Sequence, residues 1–223
     1  MNNFEQEREI LKQSTEILEN LYGRFEVDDR QEDSPDAAIL VKTDGGFDSK
    51  IGIEITCIDK PKDLRYQNDN KFARSTLCKL DAKKAHLVKK QGIELDKNYL
   101  YDGAVRKLKK YNSYKNSNKF SEIILIIFSD IMSFEEFNSE HYALQWARYR
   151  FHSENFPYDK VILTNKDTGK SELVYNIKDD TPPKPEIDSK ETNNKIITSM
   201  HLPIGETHNV RNLAKKKPIL PKK

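Results

Sequence analysis

Two carboxylates in this chain stand where carboxylates are expensive. Asp36 follows Pro35 and opens the apolar run Ala37-Ala38-Ile39-Leu40-Val41, and Glu54 lies eighteen residues later inside Ile51-Gly52-Ile53-Glu54-Ile55-Thr56-Cys57-Ile58. A lone buried carboxylate is costly unless a partner or a cation neutralises it. Both runs are aliphatic and rich in β-branched residues, so each reads as a strand, and Asp44-Gly45-Gly46 between them is a hairpin turn signal. Pairing through that turn carries Asp36 and Glu54 to one end of the hairpin. Two carboxylates converging there would bind a hard divalent cation such as Mg²⁺, with Mn²⁺ as a substitute. Period-two alternation also permits Glu54 to face solvent on the outer side of an edge strand, and Asp36 taken alone reads as an ordinary turn acid after proline.

The elements around this hairpin follow from periodicity. Phe4, Ile10, Leu11, Ile17, Leu18 and Leu21 recur at helical spacing, which predicts an amphipathic helix over 4–21 ended by Gly23. Phe25 to Val27 reads as a short strand. After the hairpin come a basic helix over about 72–90 ending near Gly92, and a second helix over 99–114 with Tyr101, Ala104, Val105, Leu108 and Tyr111 on one side. Glu122 to Phe128 reads as a fully buried strand, 133–152 as helical, and Lys160–Thr164 with Glu172–Tyr175 as two further strands. From residue 178 a proline-rich polar linker leads into the basic end NVRNLAKKKPILPKK, so the expected organisation is one domain over 1–177 and a linker with a basic tail over 178–223. The fold class is α/β.

Charge is plentiful but segregated. The 223 residues carry 38 Lys and Arg against 36 Asp and Glu, a net +2, yet residues 1–36 hold eleven acids and four bases while residues 60–119 hold seventeen bases and six acids. An acidic block beside a basic one suits an enzyme of polyanions, with carboxylates for metal and lysines for phosphate; a solvated Lys-rich surface has the same composition. With 36% hydrophobic residues the chain has core material for one compact unit, which excludes a large multi-domain enzyme. Its longest apolar run, Ile123 to Phe128, is too short to span a membrane, and the acidic start MNNFEQEREI does not read as a signal peptide; the expected location is cytoplasmic.

The layout resembles the PD-(D/E)XK nuclease superfamily. Pro35-Asp36 followed by Gly52-Ile53-Glu54-Ile55-Thr56, with an amphipathic helix before and basic helix, strand and helix after, is similar to that motif across roughly residues 4–165. The resemblance implies a restriction-endonuclease-like αβββαβ core, a central mixed sheet flanked by helices, and a metal-dependent endonuclease that hydrolyses phosphodiester bonds, in DNA ahead of RNA. By the same resemblance Asp36 and Glu54 hold Mg²⁺, and a lysine two residues after the Glu helps to activate water. Here Thr56 occupies that place. Variant members draw the lysine from the following helix, where Lys107 borders the apolar stripe, Lys109 is close to it in angle and Lys110 points nearly opposite. Lys107, Lys109 and Lys110 are also the expected nucleic-acid contacts. Members of the superfamily often bring a Glu from the first helix to the metal; at 100° per residue Glu7 falls within about 20° of the direction of Ser14, on which the apolar stripe is centred. Loss of the motif lysine also fits a catalytically inactive module on the same fold, used for binding or regulation in a defence or mobile-element system. Paired cuts would imply a homodimer.

Other chemistries find little support. Cys57 and Cys78 offer neither a disulfide framework nor zinc spacing, no two of the five histidines are four residues apart, and neither a GxxxxGK[ST] loop nor a GxSxG elbow occurs.

Overall fold

In a computed structural model of the protein, residues 3–31, 33–42, 48–68, 89–138, 143–186, 195–201 and 215 are described. The hairpin turn at 44–46, most of the helix expected over 72–90, Cys78 and nearly all of the segment after His201 lie outside them. The chain divides into two compact units, Met1–Ile58 with Lys97–Ser189, and Asp59–Asp96 with Lys190–Lys223.

The first unit is a mixed α/β sheet flanked by helices. It begins with α1 (Asn3–Gln13) and α2 (Thr15–Tyr22), followed by β1 (Phe25–Val27), β2 (Ala37–Lys42) and β3 (Asp48–Cys57). After the second unit's first segment come α4 (Tyr99–Val105), α5 (Leu108–Asn116), β5 (Glu122–Phe128), α6 (Phe134–Asn138), α7 (Ala143–Ser153), β6 (Lys160–Thr164) and β7 (Ser171–Asn176). Six strands pair in the order β1-β2-β3-β5-β6-β7. The β3–β5 and β5–β6 pairs are parallel and the other three antiparallel.

Central position explains the aliphatic sequences of β3 and β5, because a strand covered on both faces has no polar side to alternate with. Ile51, Ile53 and Ile55 join Ile10, Leu11 and Leu18 of the N-terminal helices, Ile39 and Val41 of β2, and Ile124 and Ile126 of β5 in one apolar cluster. The stripe predicted over 4–21 is therefore used, but as two helices rather than one. Ser14, at its centre, is buried and forms the break: its hydroxyl donates to the Ile10 carbonyl and shares a 2.8 Å hydrogen bond with the Thr164 hydroxyl on β6. Phe4, counted into the stripe, is exposed instead.

On the other side of the sheet α4 packs against α7, and α5 against β5. Gly103 permits the approach of α4 to the end of β3, since a Cβ placed there would sit 2.5 Å from Ile58 Cβ. The helix expected over 99–114 is broken at Arg106–Lys107, which separates α4 from α5.

The second unit contains α3 (Pro61–Asn68) and the antiparallel ladder of β4 (Lys89–Leu95) with β8 (Lys195–His201). Residues 89–92, read from sequence as the end of a helix, are strand, and part of the expected linker and tail supplies the partner strand. Among the described residues no helix is long and apolar enough to cross a membrane.

Candidate metal centre

Register decides the meeting of Asp36 and Glu54. Ala37 pairs with Ile53 across the β2–β3 ladder, so one step further the antiparallel register sets Asp36 opposite Glu54, and opposite residues project from the same face. β3 lies between β2 and β5, which removes the alternative that Glu54 faces solvent from an edge strand. Its side chain is 0% exposed. Asp36 is buried as well, and its Oδ2 accepts a 2.7 Å hydrogen bond from the Ile55 amide.

Three donors from α5 and its first turn surround Glu54. Lys107 Nζ donates to Oε1 at 2.5 Å and Lys110 Nζ to the same oxygen at 2.9 Å, while the buried Tyr114 hydroxyl donates to Oε2 at 2.6 Å. Lys110 Nζ also lies 3.9 Å from Asp36 Oδ1, so it bridges the two acids. The break before α5 produces this arrangement: Lys107, Lys110 and Tyr114 are spaced at three and four residues on a helix that restarts at Leu108, and all three face β3. The single wheel drawn over 99–114 sent Lys110 away from the site, and the break corrects it. Lys109 is exposed and stands off the carboxylates. The hydroxyl of Tyr158, just before β6, donates to the Lys107 carbonyl at 3.1 Å and ties down the start of α5.

Electrostatics bind Glu7 to the same group. Its carboxyl is raised above the ordinary carboxylate range first by burial and then by the negative charge of Asp36, with Glu54 adding to this and Lys107 and Lys110 opposing it. Asp36 is raised by burial and by the charge of Glu54, against the Ile55 amide and the two lysines. For Lys110, burial disfavours the ammonium, but the hydrogen bond and charge of Glu54 and the charge of Asp36 outweigh it and raise the group. Burial and the Glu54 hydrogen bond hold Tyr114 protonated far beyond a free phenol. Three carboxylates and two ammonium groups thus share one electrostatic environment.

That donor set fits a hard cation. Asp36 and Glu54 repel each other, so a divalent ion drawing on their oxygens would relieve a repulsion already built into the fold. Thr56 is two residues beyond Glu54 and shares its side of the strand, but its hydroxyl brings no charge; the lysines of α5 bring it. Tyr114 was not read from sequence as a partner of Glu54. Its place four residues after Lys110, on the same helix face, was the available signal.

A second juxtaposition was also out of reach of sequence. Cys57 Sγ lies 3.9 Å from Asp130 Oδ2, and the same carboxylate accepts from Gln6 Nε2 at 2.9 Å and Lys166 Nζ at 2.6 Å. A thiolate and a carboxylate are both groups that can ligate a metal ion, and Asp59, the next acid in the chain, begins the second unit. No known protein family, curated protein or solved structure matches the chain.

Proposed function

We propose that the protein is a metal-dependent nuclease of the PD-(D/E)XK type, hydrolysing phosphodiester bonds in nucleic acid, with DNA the first substrate to test. One observation carries the reading: Asp36 and Glu54 meet at the end of the β2–β3 hairpin beneath Lys107 and Lys110, with Glu7 within reach of their charge. Asp36, Glu54 and Glu7 would hold Mg²⁺ or Mn²⁺. Bound there, the ion supplies charge neutralisation for a phosphodiester and lowers the pKa of a water molecule.

The remaining roles belong to the chain's own side chains. Lys107 is only 21% exposed and held from both ends, by Glu54 at its ammonium and by Tyr158 at its carbonyl, so it is a fixed positive charge able to orient water or steady the phosphate. Lys110, 46% exposed, can turn its ammonium from the carboxylates to a phosphate oxygen. Tyr114 keeps Glu54 in place by donating to Oε2. In the reaction the oxygen of water forms a bond to phosphorus as the bond to the leaving sugar oxygen breaks; the proton lost by water passes to solvent, and the leaving oxygen takes one up.

A second reading also has an observation in its favour. Both lysines already neutralise Glu54 Oε1, as they would in an inactive nuclease fold whose carboxylates serve structure alone. Incubation of plasmid, single-stranded DNA and RNA with Mg²⁺, Mn²⁺ or EDTA separates the two. The nuclease reading expects metal-dependent cutting that disappears in both Asp36→Ala and Glu54→Ala. Cutting that survives both substitutions overturns it, and metal binding without cutting of any substrate by folded protein selects the inactive module.

A further inference from the structure

The boundary between the two units is also a boundary in charge. Asp59–Asp96 with Lys190–Lys223 holds eighteen Lys and Arg against eight Asp and Glu, a net +10, and Met1–Ile58 with Lys97–Ser189 holds twenty against twenty-eight, a net −8. Neither segment of the second unit owes its charge to the other, since the first contributes +4 and the second +6. The two meet in the β4–β8 ladder, in which Leu95 pairs with Lys195 a hundred residues further along the chain. Closing a loop of that length costs entropy that an unstructured tail would not spend. Lys195–His201 of the basic C-terminal segment is thus paired with Lys89–Leu95 of the basic insertion.

An excess of ten positive charges has no counter-charge inside the unit, however its own ion pairs, such as Lys60 with Asp96, are arranged. Self-repulsion of that size weakens a compact structure. A polyanion lying on it releases counterions and relieves the repulsion together. In the first unit acids outnumber bases, and among the described residues nine of its twenty lysines and arginines pair with its own acids, including Lys50 with Asp28, Lys166 with Asp130 and Arg150 with Glu154.

We infer that the second unit is a nucleic-acid-binding module that grips the phosphate backbone and supplies most of the affinity, while the first unit contributes little of it. This rests on the nuclease reading only for the choice of nucleic acid among polyanions, and it holds whether or not the carboxylates catalyse.

The test uses two full-length variants of equal net charge. Lys215, Lys216 and Lys217 are changed to Glu in the second unit, and Lys12, Lys115 and Lys119, all exposed, are changed to Glu in the first. Fluorescence anisotropy with labelled duplex DNA and duplex RNA is read in EDTA, so that cutting plays no part, over about 50 to 200 mM NaCl. On at least one duplex the second-unit variant is expected to lose about tenfold or more in affinity, with the salt slope falling by about 0.9 per lost phosphate contact, and the first-unit variant to stay within about twofold of the parent. Equal losses in both variants mean that only net charge matters and overturn the inference. So does failure of the parent protein to bind either duplex. Circular dichroism confirms that both variants are folded, and the cleavage assay above is scored separately, so the failure of one reading leaves the other standing.

Discussion

Tyr114 and Glu54 form a pair whose two halves can be removed separately. Tyr114→Phe leaves a buried carboxylate oxygen without its donor, so a loss of about 1–3 kcal/mol is expected in urea unfolding. If Tyr114 positions Glu54 for a cation, the same variant also weakens Mn²⁺ binding by calorimetry, which a purely structural hydroxyl would leave unchanged. The pH dependence follows from Asp36 and Glu7. Burial and neighbouring negative charge raise both groups, so each holds its proton more tightly in the folded than in the unfolded chain. In the metal-free protein their contribution to stability is therefore present at low pH and lost as pH rises from the ordinary carboxylate range through the raised values. Cation binding runs the other way, because protons compete for the same oxygens. Affinity for Mn²⁺ titrated from about pH 8 to about pH 4 should begin to fall above the range of free carboxylates, and Asp36→Asn should weaken binding and flatten that profile.

At the scale of elements, the break between α4 and α5 brings the cationic side chains onto the hairpin. Its position depends on how closely α4 approaches β3, and Gly103 against Ile58 sets that distance. Gly103→Ala forces a methyl group into the Ile58 side chain and backbone. A destabilisation of about 1–3 kcal/mol is expected, checked by thermal unfolding. The central strands were legible because β-branched, nearly unbroken apolar runs have few other stable forms. Residues 89–95 were not. A basic run with Gly92 near its end reads as a terminating helix from its own residues, and only the partner strand Lys195–His201, far along the chain, makes it a strand.

For the whole molecule, the two-unit arrangement predicts that the ladder between β4 and β8 can be broken without melting the sheet. Ile197→Pro removes a backbone donor in the middle of β8, opposite Ile93. Hydrogen exchange should show faster exchange of the β4 amides while Ile53, Ile55, Ile124 and Ile126 keep the protection of the parent protein. Loss of protection in both places would mean that the units unfold as one.

Much of the candidate site was written in the local sequence. Asp36 after proline, Glu54 inside an isoleucine run and the turn residues between them determine a hairpin with two acids at one end, because period-two geometry and short-range pairing allow few alternatives. The N-terminal helical stripe centred on Ser14 was equally local, down to Glu7 on its near side. What only the tertiary structure decided was which cations face those acids. Lys107, Lys109 and Lys110 are chemically alike and adjacent in sequence, and a helical wheel ranks them wrongly when the helix restarts within the range it is drawn over. Lys110 and Tyr114 reach Glu54 because α5 is aimed by packing against β5 and by Tyr158 at its first turn, contacts between residues far apart in the chain. The union of the two basic segments has the same origin: strand pairing across a hundred residues depends on long-range register, which no local pattern encodes.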